Sequence, residues 1–374
     1  MYASDKRKNI VIVGGGGGGV AVARRLSEQL QSSQYRIVLI NPRSYFIILP
    51  ATVRLAVYDT DRLEERVFVP LDRVFHNGNG VFIRGKVKAI DKNKGEGGTV
   101  LLEGGDRVDF EVLVLSPGFL WDGPIAFPED ESLIKEFIAK WRESFKKAYS
   151  IVLAGGGATG IELAGEIKDV WPDKKVTIVH GGCGLMNSSY PMKVRKRLES
   201  RIQQRGVDVI LNDYIDNPMI SSMSTVKTRN GMELDADLVV STRGPRPNSE
   251  FIASSLGAHT VTDHGLVKVL PTLQLPEHPD IFAIGDVIDW PEQKQLIKAQ
   301  NHAEIVSSNV LRHLSGEELE SYKGSCEIIL VTVGKTGGVC YFGFLWGIVF
   351  GDWVSRLTKS SHLLVDRIRA SVGY

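Results

Sequence analysis

Two segments of this chain space their glycines so that a phosphate can be brought against a helix end: IVIVGGGGGGVAVARRL from Ile10 and IVLAGGGATGIELAGEI from Ile151. Each runs from an apolar strand through a glycine turn into a helix. The first glycine of the pattern, Gly14 or Gly155, makes the tight turn. The second, Gly16 or Gly157, lets backbone approach a pyrophosphate, and the third, Gly19 or Gly160, lets the helix pack on the strand. Gly17, Gly18, Gly156, Ala158 and Thr159 complete the two candidate cradles, whose free N–H groups would face the pyrophosphate at a helix N-terminus. A run of six glycines also reads as a flexible linker. No polar spacer flanks residues 14–19, so two dinucleotide sites are expected.

At the end of the second strand of such a unit a carboxylate ordinarily binds the adenosine ribose. The first unit has Asn41 there, which can still donate and accept, with Arg43 as a further candidate on the phosphate side; Asn41-Pro42 also reads as a turn start. The second unit ends on His180, followed by Gly181 and Gly182. No acid stands there to repel the extra phosphate of NADPH, so both NADH and NADPH are expected as donors; the alternative makes His180 a plain strand-end residue. The three cysteines, Cys183, Cys326 and Cys340, are not spaced as a redox dithiol or a zinc site, and no metal is expected. No serine-histidine-acid triad stands out.

These residues need strands and helices to hold them. Residues 20–31 read as a helix and 36–40 as the second parallel strand. Short β runs follow at 81–90, 99–103 and 107–115, separated by GEGG and GGD turns and ending in the SPG turn that contains Ser116. The second half repeats the order, with a strand at 175–180, a helix at 192–206, β runs at 207–211 and 225–228, and an Asn230-Gly231 turn. FEVLVLSPG and ADLVVSTRG hold matching places, which makes an internal duplication the simplest account and makes Ser116 and Gly244 candidate contacts. HPDIFAIGDVIDW then supplies a strand and an Ile284-Gly285-Asp286 turn before a helix at 298–314 that begins with the candidate Lys298. The expected fold is α/β: two Rossmann-like dinucleotide-binding domains, one on residues 1–119 and 248–315 and the other on 120–247, plus a small C-terminal α+β domain over 316–374.

At 374 residues, 43% hydrophobic and 24% charged, the chain has the composition of an ordinary soluble globular protein. A net charge of +1 offers no general attraction to nucleic acid. The first strand begins too early for a signal peptide to precede it, the Met-Tyr-Ala start lacks the glycine of a myristoylation signal, and the longest uncharged apolar run, 339–350, is shorter than the roughly 20 residues of a membrane span. A cytoplasmic protein is expected. The stretch YFGFLWGIVFGDWV, followed by Arg356, Lys359, Arg367 and Arg369, is read three ways: as core, as a homodimer seam, or as a peripheral contact with a membrane such as the mitochondrial outer face or a lipid droplet.

Over nearly its whole length the chain resembles the flavoprotein reductases of the pyridine nucleotide-disulfide oxidoreductase superfamily. NPRSYFIILPATVRLAV, GGGATGIELAGEI, IFAIGDV and the ending VGKTGGV…SRLTKSSHLLV are similar to the apoptosis-inducing-factor-like group, which includes ferroptosis suppressor quinone reductases and related fungal proteins. Type II NADH dehydrogenases look like more distant relatives. The resemblance implies an FAD-binding domain over 1–119 and 248–315 and an NAD(P)H-binding domain over 120–247, with FAD in the first cradle and Asp286 on its ribityl chain, against the reading of Asp286 as a helix N-cap. It places Pro50 and Arg54 near the flavin, where a cation stabilises a reduced, anionic ring, although a surface arginine has the same sequence signature. Val87 would offer backbone groups to adenine. Glu162 would reach the nicotinamide carboxamide, or else be an acid in the first turn of a helix. Lys359 matches a lysine of the family tail and would face the flavin or acceptor pocket, or else be a solvated helix lysine.

The superfamily's disulfide branch carries a cysteine pair beside the flavin that is missing here, so electrons must leave for a bound acceptor, which in the resembling group is a quinone. The activity implied is FAD-dependent hydride transfer from NAD(P)H to a quinone or another small electron acceptor. Two alternatives remain: an NADH-responsive redox signalling protein with slow turnover, and an NAD(P)H oxidase.

Overall fold

The strand Lys8–Val13 is buried over its last four residues, so it must be covered on both faces, which suits the centre of a parallel sheet. In a computed structural model, which describes residues 7–216, 218, 225–344 and 347–374, it pairs with Tyr35–Asn41 on one side (Ile10 opposite Ile37) and Val112–Leu115 on the other. The six-stranded sheet runs Gln274–Leu275, His278–Ala283, Val112–Leu115, Lys8–Val13, Tyr35–Asn41, Val81–Arg84. Its strand His278–Ala283 comes from far along the sequence and lies parallel beside Val112–Leu115. The helices Gly17–Gln29 and Leu296–Ser315 pack together, Leu26, Ala303 and Val306 joining one core.

The second unit repeats the plan in a four-stranded, all-parallel sheet ordered Val207–Leu211, Lys175–His180, Ser150–Ala154, Leu238–Ser241. Its glycine helix is Ala158–Val170. The fold is thus mixed α/β with two Rossmann-like sheets, as expected.

Two expected β runs are each divided between sheets. Residues 81–90 form Val81–Arg84, at the edge of the six-stranded sheet, and Val87–Lys92, in a three-stranded antiparallel meander with Gly98–Leu102 and Arg107–Phe110. Likewise 107–115 splits into Arg107–Phe110, which alternates exposed and buried, and Val112–Leu115, which is buried throughout. The change of period at Glu111 marks the passage from a one-sided meander to a two-sided parallel sheet.

The C-terminal segment forms an antiparallel sheet of Ile328–Val333, Gly337–Phe342 and Ile348–Phe350, followed by short helical turns and the helix Val365–Val372. The aromatic-rich stretch is therefore a strand end, a further strand and the short helix Asp352–Ser355, with Leu345 and Trp346 outside the described residues. The preceding Val339 and Cys340 are core, while Trp353 is 78% exposed.

One ionic knot joins three parts of the chain. Arg54, on the helix Leu49–Val57, is 1% exposed. Its Nε and Nη2 donate to Glu166 of the second glycine helix at 2.8–3.0 Å, and Nη2 also donates to the Ser360 carbonyl at 2.7 Å. The Tyr58 hydroxyl adds a contact to Glu166 at 3.3 Å. Desolvation pushes the Glu166 carboxyl up, and the guanidinium is what keeps a charge tolerable there. Removing one partner of such a pair costs about 3–5 kcal/mol, whereas replacing both with apolar residues is often near neutral. Arg54→Met is therefore expected to lower the denaturation midpoint sharply, and Arg54→Met with Glu166→Leu to recover most of the loss; a double variant as unstable as the single would show that the ionic pair is not what the helices need.

Candidate functional site

The two glycine turns superimpose in their physical logic, residue for residue. Gly14 and Gly155 have φ of +107° and +135°, in the region that favours glycine, and a Cβ on either would lie 2.0 or 2.4 Å from a carbonyl oxygen, that of Ser116 or of Thr242. At Gly19 and Gly160 a Cβ would meet the carbonyl oxygen of Gly14 or Gly155 at 1.9 or 2.0 Å, so both helices press directly on their turns. The middle glycines differ from these. Around Gly16 and Gly157 nothing lies within 4 Å of an added Cβ, and each is the N-cap of its helix with no side-chain cap and no acid in the first turn. Both helix ends thus point uncapped N–H groups at open space, the arrangement that receives a pyrophosphate. The residues present fit a dinucleotide at each cradle.

The strand-end residues are spent on the turns themselves. Asn41 Oδ1 accepts the Gly15 N–H at 2.9 Å, and its Nδ2 donates to the Arg43 carbonyl at 2.7 Å. His180 Nδ1 accepts the Gly156 N–H at 3.2 Å, leaving Nε2 to donate to the Met186 carbonyl at 3.3 Å. Asn41 and His180 thus do the same job in the two units. Burial holds the His180 imidazole below its ordinary range, so the ring is neutral and carries no charge for a 2′-phosphate. Arg43 reaches the Phe127 and Pro128 carbonyls. Beyond the Asn41 strand end lies an open cleft lined by Pro42, Arg84, Gly85, Lys86, Glu129 and Asp130.

On the first cradle, Gly17 packs toward Leu296, and Gly18 lies under Ile284 and the Ser116 hydroxyl. Asp286 sits inside the single turn Gly285–Val287 and caps no helix. Burial pushes its carboxyl up, with Lys294 acting in the opposite sense, and among the described residues no hydrogen bond reaches it. A half-buried acid without a protein partner, beside the first cradle, fits the hydroxyls of a bound flavin nucleotide. Pro50 lies in the first turn of the helix Leu49–Val57, Val87 opens the meander at a bulge, and Gly244 faces open space. Lys298 is 2% exposed and donates to the Ser325 carbonyl at 2.7 Å.

Glu162 and Lys359, 197 residues apart, meet. Lys359 Nζ donates to Glu162 Oε1 at 2.6 Å and to the Leu330 carbonyl at 2.8 Å, and the Thr332 N–H adds a bond to the same Oε1 at 3.1 Å. Glu162 Oε2 has no protein partner among the described residues. Glu162 lies in the second turn of its helix, since the helix begins at Ala158, and Lys359 is buried; neither is the solvated or first-turn residue that the alternatives described. Arg54 is likewise no surface arginine, but its charge is matched by Glu166. Glu166 escaped the sequence reading, although it follows Glu162 by four residues in IELAGE and so had to share its helix face.

Among the described residues no cluster of histidine, cysteine or acid side chains could hold a metal ion, and no helix is long and apolar enough to cross a membrane. Cys183, Cys326 and Cys340 are free thiols.

A sequence model described as pyridine nucleotide-disulphide oxidoreductase matches residues 8–303. The chain is 43% identical to FAD-dependent oxidoreductase FVFD30 of Flammulina velutipes, over 85% of this chain and 99% of that one. It is 30% identical to ferroptosis suppressor protein 1 of Mus musculus, covering 91% and 90% of the two chains. Among solved structures, the sulfide:quinone oxidoreductase of Aquifex aeolicus superimposes with a TM-score of 0.74 at 20% identity, over 97% of this chain and 92% of that one, a likeness of fold.

Two outcomes follow at the cradles. Gly160→Ala is expected to destabilise the protein by about 1–3 kcal/mol through overlap with the Gly155 carbonyl, whereas Gly157→Ala should leave thermal stability near wild type and weaken nicotinamide dinucleotide binding; calorimetric titration and melting of both variants separate the two roles. Because His180 titrates below its ordinary range, the ratio of NADH to NADPH affinity should stay flat from about pH 8 to about pH 6.5. A rise in NADPH affinity as the pH falls through that interval would mean that the imidazole does gain a proton and meets the phosphate.

Proposed function

The chain belongs to the pyridine nucleotide-disulphide oxidoreductase family, and from that premise we propose that it is an FAD-dependent enzyme that oxidises NAD(P)H and reduces a quinone. The balance is NAD(P)H plus a proton plus quinone giving NAD(P)⁺ plus quinol. When bound, FAD accepts the hydride and passes the electrons on. The first cradle with Asp286 would hold FAD, and the second cradle would hold NADH or NADPH.

The observation that carries this reading is the Glu162 carboxylate. Oε1 is immobilised by an ammonium and a backbone N–H, while Oε2 is left to accept, and the group stands one turn into the helix whose N-terminus takes the pyrophosphate. A fixed carboxylate at that distance along the cofactor suits the carboxamide N–H of a nicotinamide and would orient the ring for transfer. Lys359 then acts on the donor through Glu162, as a positioning residue that holds the carboxylate in place. No two of the three cysteines are spaced as a redox dithiol, which speaks against a disulfide relay and for an acceptor that binds directly. The outer side of the same helical turns carries Trp353 and Leu357 in solvent with Arg356 between them, which suits the approach of a lipophilic acceptor or contact with a lipid surface.

No acid guards the His180 strand end, which supports use of both NADH and NADPH. The test is anaerobic stopped-flow reduction of the purified protein. Wild type should be yellow, bleach with NADH, and recover its colour on adding a short-chain ubiquinone analogue. Glu162→Gln should bind FAD normally and slow the bleaching about 10- to 1000-fold, in line with the loss of an orienting contact; Lys359→Met should slow it less. Bleaching in Glu162→Gln at the wild-type rate would remove the residue from the site, and reoxidation that ignores quinone would remove the acceptor.

A further inference from the structure

Behind the turn that holds Asp286 lies a buried polar cluster that the nicotinamide side of the site does not use. His302, 2% exposed, accepts the Gly285 N–H on Nδ1 at 3.1 Å, and its Nε2 meets Glu292 Oε1 at 2.6 Å. With Nδ1 accepting, the ring proton belongs on Nε2, so Glu292 selects the tautomer that leaves an acceptor facing Gly285. Glu292 also receives the Tyr322 hydroxyl at 3.1–3.2 Å and lies 3.5 Å from Lys298 Nζ. Burial opposes its charge, but the bond from His302 and the adjacent Lys298 hold its carboxyl below the usual carboxylate range. The Tyr322 ring stands edge-on to the imidazole at 4.7 Å. Lys298 continues to Glu327 at 3.5 Å, and Glu327 Oε1 takes the Gln295 amide at 2.6 Å and the Tyr190 hydroxyl at 3.2 Å. One chain of hydrogen bonds and ion pairs therefore runs from the backbone beside Asp286 to residues 322–327 of the tail and to Tyr190.

Gly285 is buried at φ +78°, one residue past the last ladder bond of its strand, Ile284 N–H to the Leu115 carbonyl, and its own N–H is taken by His302. Left alone, that buried donor would be unsatisfied, and the turn would relax to find an acceptor. The turn's orientation decides where the next side chain, Asp286, points. We propose that His302 is a positioning residue for the flavin nucleotide: its Nδ1 pins the Gly285 N–H and thereby aims Asp286, while Glu292, clamped by Tyr322 and Lys298, keeps the imidazole in the one tautomer that can do so. This rests on the reading that FAD occupies the first cradle.

The test compares His302→Leu, which fills the space without an acceptor, with His302→Asn, whose Oδ1 falls near the place of Nδ1. FAD affinity is measured by the recovery of free-flavin fluorescence, together with the flavin absorption band and midpoint potential of the holoprotein. His302→Leu should lose about tenfold or more in FAD affinity, as expected for one orphaned buried donor, and should shift the band and the potential. His302→Asn should stay within about threefold of wild type. Tyr322→Phe, two bonds away, folds without a change of shape and should weaken FAD binding by a smaller factor, so the proposal can be judged even if His302→Leu does not accumulate. Equal losses in the Leu and Asn variants, with band and potential unmoved, would reduce His302 to a packing residue and overturn the proposal. Wild-type affinity in the Leu variant, or in Tyr322→Phe with no change in any readout, would overturn it as well. A wild-type protein that takes up no FAD would bring down the reading of the first cradle itself, an outcome distinct from the other two.

Discussion

Two carboxylates on successive turns of one helix, Glu162 and Glu166, are each matched by a cation brought from a different part of the chain, and the rest of the arrangement depends on that helix staying where those cations hold it. Burial pushes the Glu166 carboxyl up, and both acids are held in ion pairs. Arg54 comes from the first nucleotide-binding unit, Lys359 from the tail, and the neighbouring Ser360 carbonyl takes the remaining Arg54 donor. The ion pairs therefore tie both the first unit and the tail to this one helix. Close approach of glycine backbone reinforces it, since a Cβ on Gly165 would lie 2.4 Å from the Gly334 nitrogen.

The same helix has two ends with different duties. Its N-terminus is left uncapped, with Gly157 facing open space, and this suits a diffusible dinucleotide; its body is anchored by buried charge. The first glycine helix has the equivalent open end, yet its surroundings are tied by the meander, by the helix Leu296–Ser315 and by the polar chain through His302. Asn41 and His180, chemically unlike, both hold the N–H of the residue after the turn glycine, so the duplicated units keep a common solution for the turn while differing in what they offer a ribose.

Much of this was legible in the residue order because it is local. Glycine spacing after a buried apolar run sets the turn, the helix start and the pyrophosphate seat within a dozen residues, and the structure has the turns where that spacing puts them. The strands 175–180 and 207–211 likewise coincide with Lys175–His180 and Val207–Leu211, being short, apolar and bounded by turn residues. The division of 81–90 and 107–115 between two sheets was not legible, since a change of sheet leaves only a subtle change in burial period. The aromatic tail was ambiguous among core, seam and membrane readings because apolar content alone does not say which side chains find cover: Val339 does and Trp353 does not.

By itself, the sequence determined two glycine turns, each between a buried strand and a helix, and singled out Glu162 and Asp286 as candidate acids, since these depend on contacts between residues close in the chain and on a pattern shared with related reductases. Tertiary structure alone decided the partners: that Lys359 reaches Glu162 across 197 residues, that Arg54 is matched by Glu166, and that His302 stands behind Gly285 with Glu292 and the tail. The reason is physical. A buried charge or an orphaned N–H requires a partner but does not name one, and many side chains in the sequence could satisfy it; which one does is settled by how the sheets and helices pack.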